Sequence, residues 1–168
     1  MAFVYDPRIR EPLLTETLQI ALVVRDLEAA MRRYVEGYGI GPWEIYEFNP
    51  GNVRNMQQGG EPVDAAWRLA LARVGQAHWE LIEPLDDRSD YARFLAEHGE
   101  GVHHIGVAVP SYDDAIASVA EQGRSIVLRG EYNGVTFAYL PTREDLGVIT
   151  EIFDAPPGEG QQPDAVYP

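Results

Sequence analysis

The sequence predicts an α+β protein built from two tandem βαβββ modules. An apolar strand, an amphipathic helix and three further strands occur in this order twice along the 168 residues. Two internal matches without gaps support the duplication. QIALVVRDLEAA, which starts at Gln19, aligns with HIGVAVPSYDDA, which starts at His104, and WELIEP aligns with TEIFDA. Matches that keep the same order along the chain are typical of an internal repeat.

The first module is assigned to residues 17–100. It begins with the apolar, β-branched strand TLQIALVV. Asp26 can cap the helix that follows, in which apolar residues recur at helical spacing from residue 27 to residue 38. Three short strands are expected next, WEIYEF, AAWRLALARV and AHWELIEP, with Gly75-Gln76 as the turn between the last two. A helix over SDYARFLAEHG ends this half.

The second module is assigned to residues 101–154 and repeats the order. HHIGVAV is its first strand, Ser111 can cap its helix, and RSIVLRGEY, GVTFAYL and LGVITEIFD are its further strands. Residues 1–16 are expected to form an extended N-terminal arm. Residues 155–168 are rich in Pro, Gly and Gln, a composition that predicts a flexible tail.

Composition excludes several classes of function. The formal net charge of -14 is incompatible with the basic surface that nucleic-acid or anionic-lipid binding needs. No apolar run approaches the roughly 18 residues of a membrane-spanning helix, and we predict a cytoplasmic protein because the N-terminus lacks the pattern of an export signal. The absence of cysteine excludes disulfides, thiolate nucleophiles and cysteine-ligated metals. Dinucleotide, P-loop and GxSxG motifs are also absent.

Three strings carry a family resemblance: RDLEAAMRRYVEGYGI, ELIEPLDD and FLAEHGEGVHHIGVAV. They resemble the vicinal oxygen chelate superfamily, which contains glyoxalase I, methylmalonyl-CoA epimerase, extradiol dioxygenases and bleomycin- and fosfomycin-resistance proteins. The resemblance covers about residues 17–154 and is nearest to the epimerase-like branch. It implies that the modules form a curled mixed sheet, a half-barrel cleft, with a divalent metal held by the first and last strands of each module.

Carried over by position, the implied metal ligands are Gln19, Glu80, His104 and Glu151. The internal repeat pairs the same residues, Gln19 with His104 and Glu80 with Glu151, so a pseudo-twofold axis would bring them together. Two carboxylates, an amide oxygen and an imidazole suit Mn²⁺, Mg²⁺, Co²⁺, Ni²⁺, Fe²⁺ or Zn²⁺. Glu151 and Glu80 are also the candidates for moving a proton at the substrate.

The chain departs from the family pattern at two positions. Gln19 stands where the family usually has histidine, which weakens the expected metal affinity. Arg68 stands at the position, counted back from Glu80 without gaps, where the epimerase has its second catalytic glutamate. Arginine cannot act as a base at neutral pH, so we expect Arg68 either to bind an acidic group of the substrate or to lie on the surface.

Further candidates follow from strand alternation. His78 has the same parity as Glu80 and is a candidate acid/base, with a structural role as the alternative. His103, whose parity is opposite to that of His104, is expected to be structural. Five aromatic residues are candidates for the pocket wall or the core: Trp43, Tyr46, Trp67, Phe137 and Tyr139.

Three functions are therefore weighed. The first is a metal-dependent isomerase, epimerase or lyase that acts on a small carbonyl or carboxylate-bearing substrate through an enolate-like intermediate. The second is a ring-cleaving dioxygenase, which is disfavoured because its Fe²⁺ site needs two histidines and these four positions offer one. The third is a metal-free protein that binds a small molecule. By analogy with the family, a homodimer is expected.

Overall fold

A computed structural model describes residues 13–154 and 162–168. These ranges contain one sheet of 11 strands, and the elements are as follows. The strands are β1 (Glu16–Val23), β2 (Trp43–Phe48), β3 (Val53–Gln58), β4 (Glu61–Pro62), β5 (Trp67–Val74), β6 (Ala77–Pro84), β7 (Gly101–Ala108), β8 (Leu128–Tyr132), β9 (Val135–Leu140), β10 (Ile149–Asp154) and β11 (Ala165–Tyr167). The helices are α1 (Leu27–Tyr38), α2 (Asp90–His98), α3 (Tyr112–Glu121) and α4 (Arg143–Leu146).

The sheet repeats one topology on the two sides of its centre. The strand order is β11-β2-β5-β6-β1-β7-β10-β9-β8-β3-β4. β1 and β7 pair in antiparallel fashion at the centre, and each pairs on its other side, in parallel, with the last strand of its own module. The order β2-β5-β6-β1 thus matches β8-β9-β10-β7. This arrangement confirms the predicted α+β class and the curled mixed sheet.

Helices α1 and α3 cover the convex face of the sheet. Leu27 and Met31 of α1 pack in a cluster with Ala70 and Ala72 of β5, and α3 packs in the equivalent cluster of the second half. The other face carries a largely aromatic cluster, whose strand residues include Tyr46, Phe48, Trp67, Tyr132, Phe137 and Tyr139. Alternate residues of β5 therefore face α1 and the concave side, as strand geometry requires.

Side-chain caps fix where the three longer helices begin. Asp26 accepts a hydrogen bond from the Ala29 backbone N–H at 2.8 Å, and Ser89 and Ser111 cap α2 and α3 in the same way. The predicted bounds of α1 agree with the observed ones. Within residues 13–154 and 162–168, no helix has the length and apolar character needed to cross a membrane.

The two halves of the curled sheet also contact each other where β2 and β3 meet β8. Phe48 of β2 lies against Tyr132 of β8, with ring centroids 4.2 Å apart. β3 continues from this point and pairs with β8, so the first module supplies part of the edge of the second. No strand is predicted for this segment, because VRNMQQ is polar and lacks alternation. Asn55 also adopts a positive φ of 51°, and the register shifts between Arg54 and Gln57.

The structure corrects one of the predicted terminal segments. Residues 165–167 of the expected flexible tail form β11, which pairs with β2 in antiparallel fashion. The Asp164 carboxylate also accepts a hydrogen bond from the Glu47 N–H at 2.8 Å, which fixes the approach to this strand. Residues 155–161 of the tail lie outside the described residues. So do residues 1–12 of the expected arm, whose last residue, Glu16, begins β1.

Candidate functional site

Four adjacent central strands bring the four predicted ligand residues together. Glu80 lies on β6, Gln19 on β1, His104 on β7 and Glu151 on β10, and these strands are consecutive in the sheet. Ala21 of β1 is the register partner of both Glu80 and His104. The duplicated topology thus places one residue from the first strand and one from the last strand of each module around a common point.

The four side chains are in direct contact. The Gln19 amide nitrogen donates a hydrogen bond to Glu80 and another to Glu151, each at 2.8 Å. His104 Nε2 lies 3.0 Å from the Glu151 carboxylate and 3.3 Å from that of Glu80. Ligand atoms of Glu80, His104 and Glu151 all lie within 4.8 Å of one another, and these three residues are buried.

Gly106 provides the space that the Gln19 side chain occupies. Gly106 is the register partner of both Gln19 and Glu151. A Cβ atom at this position would lie 2.3 Å from Gln19 Cγ and 2.8 Å from its Cδ, closer than real Cβ contacts. A residue larger than glycine would therefore displace the amide from the two carboxylates.

Three of the four side chains line an apolar cavity on the concave face. Its volume is about 150 Å³. Gln19, Glu80 and Glu151 form its acidic corner, and the rest of its wall is aromatic or aliphatic. The other lining residues are Tyr46, Phe48, Trp67, Leu69, Leu71, Tyr91, Tyr132, Val135, Phe137, Tyr139 and Phe153. Four of the five aromatic candidates line this cavity, whereas Trp43 packs in the α1 cluster on the other face.

The chain matches the model of a known family. A family model described as the Glyoxalase/Bleomycin resistance protein/Dioxygenase superfamily matches residues 18–139, more than half of the chain. The chain belongs to this superfamily. The resemblance to the vicinal oxygen chelate superfamily is thereby confirmed.

Two solved structures are similar along most of the chain, and one sequence relative is similar along half of it. Hypothetical protein BH1468 from Bacillus halodurans is 25% identical with a TM-score of 0.65, covering 87% of this chain and 98% of that one. A methylmalonyl-CoA epimerase in complex with methylmalonyl-CoA and NH₄⁺ is 25% identical with a TM-score of 0.65, covering 88% and 99%. Uncharacterized protein YqjC of Bacillus subtilis is 30% identical over 87 residues, which are 50% of this chain and 62% of that protein.

The donor set of this vicinal oxygen chelate protein fits a divalent ion. Two carboxylates and an imidazole meet at one point, and oxygen-rich sites of this type suit first-row divalent metals and Mg²⁺. Gln19 presents its amide nitrogen to the carboxylates. Rotation of this amide about its last bond would present the oxygen instead, so the fourth position is also compatible with ligation.

The carboxylates control the charge of the site. Burial alone would lower the pKa of His104, but the adjacent Glu151 and Glu80 carboxylates raise it to about 9. Burial raises the pKa of Glu151 to about 7, although the nearby His104 opposes this increase. An ion that binds to the His104 Nε2 atom must displace a proton, so metal binding and proton release are coupled.

The structure does not bring Arg68 to the cavity. Arg68 lies on the convex face of β5, where its guanidinium pairs with Glu28 of α1 at 2.7 Å and with Glu83 of β6. The cavity is instead lined by its neighbours Trp67 and Leu69. The expected role of Arg68 as a group that binds the substrate is therefore wrong. The small residues that share its face pack against the helix rather than line the cleft.

His78 is near the site but separate from it. It is the register partner of Gln19 and lies two residues before Glu80 on β6. It is half-buried and does not line the cavity, and within the described part of the chain no hydrogen bond joins it to the four central side chains. Its catalytic role stays a prediction without support from these contacts.

Sequence reasoning missed two residues next to the site, Asp90 and His103. His103 Nδ1 lies 3.1 Å from His104 Nδ1, and His103 Nε2 lies 2.9 Å from the Asp90 carboxylate. Both residues are buried. Asp90 follows the cap Ser89 and looks in the sequence like an ordinary acidic residue of a first helical turn. The adjacent histidine pair was the available signal, but regular strand alternation assigned His103 to the opposite face.

Proposed function

We propose that this chain is a metal-dependent vicinal oxygen chelate enzyme, an isomerase, epimerase or lyase that moves a proton at a carbon next to a carbonyl group. The observation that carries this proposal is the meeting of Glu80, His104 and Glu151 at the acidic corner of an otherwise apolar cavity. Gln19, Glu80, His104 and Glu151 would hold the ion. Once bound, a divalent ion supplies Lewis-acid stabilisation for negative charge that develops on a carbonyl oxygen.

The protein's own groups then move the proton. Glu80 and Glu151 are the carboxylates that line the cavity, and either can accept a proton from the carbon and return it. The raised pKa of Glu151 makes it a stronger base than an exposed carboxylate. The aromatic wall excludes water from the reacting carbon, which protects an enolate-like intermediate from protonation by solvent.

The cavity also favours a substrate class. Its volume of about 150 Å³ suits a small acyl or carbonyl group, and any large or charged remainder of the substrate would lie outside it. No cationic side chain lines it within the described residues, so we no longer propose a carboxylate clamp by Arg68. The buried Trp67 indole N–H has no hydrogen-bond partner among the residues that the structure describes. A substrate oxygen beside Trp67 would satisfy this donor. The related epimerase complex makes methylmalonyl-CoA the first compound to test.

Deuterium exchange tests this proposal directly. Protein loaded with Mn²⁺, Co²⁺ or Zn²⁺ is incubated with methylmalonyl-CoA and other short acyl-CoA thioesters in D₂O, and label at the carbon next to the carbonyl is measured by mass spectrometry. We expect exchange with the parent protein, and loss of exchange with Glu80→Gln and Glu151→Gln. Arg68→Met is the matched control, because this charged residue lies on the other face of the sheet and should leave exchange intact. Metal binding without exchange of any thioester would contradict the proposed reaction.

One observation favours a second function, that of a metal-free binding protein. The Gln19 amide N–H group and the His104 imidazole already satisfy both carboxylates through direct contacts. The carboxylates thus have hydrogen-bond partners without an ion, and the aromatic cavity alone can bind a small apolar molecule. Metal content separates the two functions. The homodimer and the cytoplasmic location stay predictions.

A further inference from the structure

β7 contains a bulge at His103. Ala21 of β1 pairs with His104, whereas the next residue, Leu22, pairs with Val102, so β7 has one extra residue at this point. A bulge breaks the alternation of side chains and re-aims them. The His103 and His104 side chains are both fully buried, and the rings of both lie beside Tyr139, with centroids 6.0 Å and 4.5 Å from it. The bulge therefore brings two consecutive imidazoles to the same side of the strand.

The contacts of His103 define the proton positions of both rings. The Asp90 carboxylate is paired with the Arg93 guanidinium through one oxygen, and its other oxygen lies 2.9 Å from His103 Nε2. A carboxylate held in this way accepts hydrogen bonds, so this contact calls for a proton on His103 Nε2. A His103 ring with its one proton on Nε2 has a lone pair on Nδ1. The 3.1 Å contact between the two Nδ1 atoms places a proton on His104 Nδ1, leaving its Nε2 facing Glu80 and Glu151.

We infer that Asp90 and His103 are positioning residues that hold the His104 ring in the tautomer and orientation needed to bind a divalent ion through Nε2. This inference rests on the proposed function, since it assigns His104 as a ligand. Metal-ligating histidines usually donate their other ring N–H to a carboxylate or carbonyl, and this partner fixes the ring. Here the carboxylate acts through a second imidazole, which extends the chain to Asp90–His103–His104.

Neighbouring groups hold the Asp90–His103 pair in turn. Arg143 donates a hydrogen bond to the His103 backbone carbonyl at 3.2 Å, and Arg93 pairs with the other oxygen of Asp90. The rings of Tyr91 and Phe94 lie beside the His103 ring, both with centroid distances of 5.1 Å. The bulged segment is therefore fixed by helix α2 on one side and by the start of α4 on the other.

Metal affinity provides the first test. Titration calorimetry with Mn²⁺ or Co²⁺ is performed on Asp90→Asn and His103→Phe, the second of which keeps a ring beside Tyr91 but lacks an acceptor. We expect both variants to bind the ion about 10- to 100-fold more weakly than the parent protein. His103→Gln retains a donor and an acceptor and should recover part of the affinity. Asp113→Asn is the matched control, because Asp113, like Asp90, lies in the first turn of a helix but is exposed, and its affinity should equal that of the parent.

The second test does not depend on the ion or on activity. The ¹⁵N chemical shifts of the ring nitrogens in metal-free protein should show His103 protonated at Nε2 and unprotonated at Nδ1, and Asp90→Asn should change this distribution. If the parent protein binds no ion, the proposed function is contradicted. The positions of the His103 ring protons would still test whether Asp90, His103 and His104 form the inferred hydrogen-bonded chain. A proton on Nδ1 of His103, or folded Asp90→Asn and His103→Phe proteins that bind ions like Asp113→Asn, would overturn the inference.

Discussion

Gly106→Ala tests whether the close contact between β7 and Gln19 maintains the site. The new methyl group would lie 2.3 Å from Gln19 Cγ, so the side chain or the strand must move. Overpacking of this kind costs about 1–3 kcal/mol, and each hydrogen bond to a charged group contributes about 1.5–3 kcal/mol. The two Gln19 bonds are replaced in part by contacts of the carboxylates with His104. We therefore expect the free energy of unfolding to fall by about 2–4 kcal/mol in total.

Thermal unfolding and metal titration measure the effect. For a chain of this size, the expected loss corresponds to a decrease in melting temperature of roughly 4–16 °C. Mn²⁺ affinity should fall as well, because the Gln19 amide leaves the carboxylates. Gly101→Ala is the matched control on the same strand, since its Cβ would meet nothing within 4 Å, and we expect a change within about 0.5 kcal/mol.

A double-mutant cycle assigns the effect to Gln19. Gln19→Ala removes the atoms that clash with the new methyl group, so the double variant should be more stable than the sum of the two single changes, by about 0.5–3 kcal/mol. Equal stabilities and equal metal affinities of Gly106→Ala and Gly101→Ala would refute the reasoning.

Four further predictions concern charge, packing and assembly. Mn²⁺ affinity should rise between about pH 6.5 and 9, because the ion displaces the His104 proton, whose pKa is raised to about 9; a flat calorimetric profile would contradict this. In the same pH interval, the metal-free protein should lose stability relative to His104→Gln as the pH rises, because the pKa of His104 is higher in the folded state than in the unfolded state. Melting curves of both proteins across this interval check the sign. Arg68→Met should lower the free energy of unfolding by about 1 kcal/mol through its half-exposed ion pairs, yet leave metal affinity unchanged; reduced affinity would restore a site role for Arg68. Light scattering at micromolar concentration should show a homodimer, and a monomer would refute that expectation.

The internal repeat explains why the four central residues were predictable. A gap-free match between two copies conserves strand parity, so Gln19 and His104 point to the same side, as do Glu80 and Glu151. Their contacts follow from the pairing of β1 with β7 at the centre of the sheet. The family resemblance and the duplication therefore led to the same four positions, and the structure brings these side chains into contact.

Two residues differ from the expectation for different physical reasons. Arg68 was expected at the substrate or on the surface, because it stands at the position of the epimerase's second catalytic glutamate. In the structure Ala70 and Ala72, which share its face of β5, pack against α1, and bulky side chains line the cavity. His103 was placed outside because a regular strand alternates, whereas the bulge is created by pairing with β1 and has no local signal.

Long-range pairing also explains the missed strands. β3 is polar and β11 follows a segment rich in Pro and Gly, so neither has the apolar alternation that identifies a strand. Each forms because an edge strand has free backbone groups to pair, β8 for β3 and β2 for β11. Such pairing depends on the curled sheet as a whole and is not encoded in the local pattern.

The metal content of the protein is the most direct test of the account. Protein purified without chelator is analysed for metals, and its melting temperature is then measured with and without added Mn²⁺, Co²⁺ and Zn²⁺. We predict a stoichiometric divalent ion, or a clear increase in melting temperature on addition of at least one of these ions, and loss of both in His104→Ala. A parent protein that contains no metal and whose melting temperature is unchanged by all three ions would contradict the proposed metal site and leave the binding-protein function as the better account.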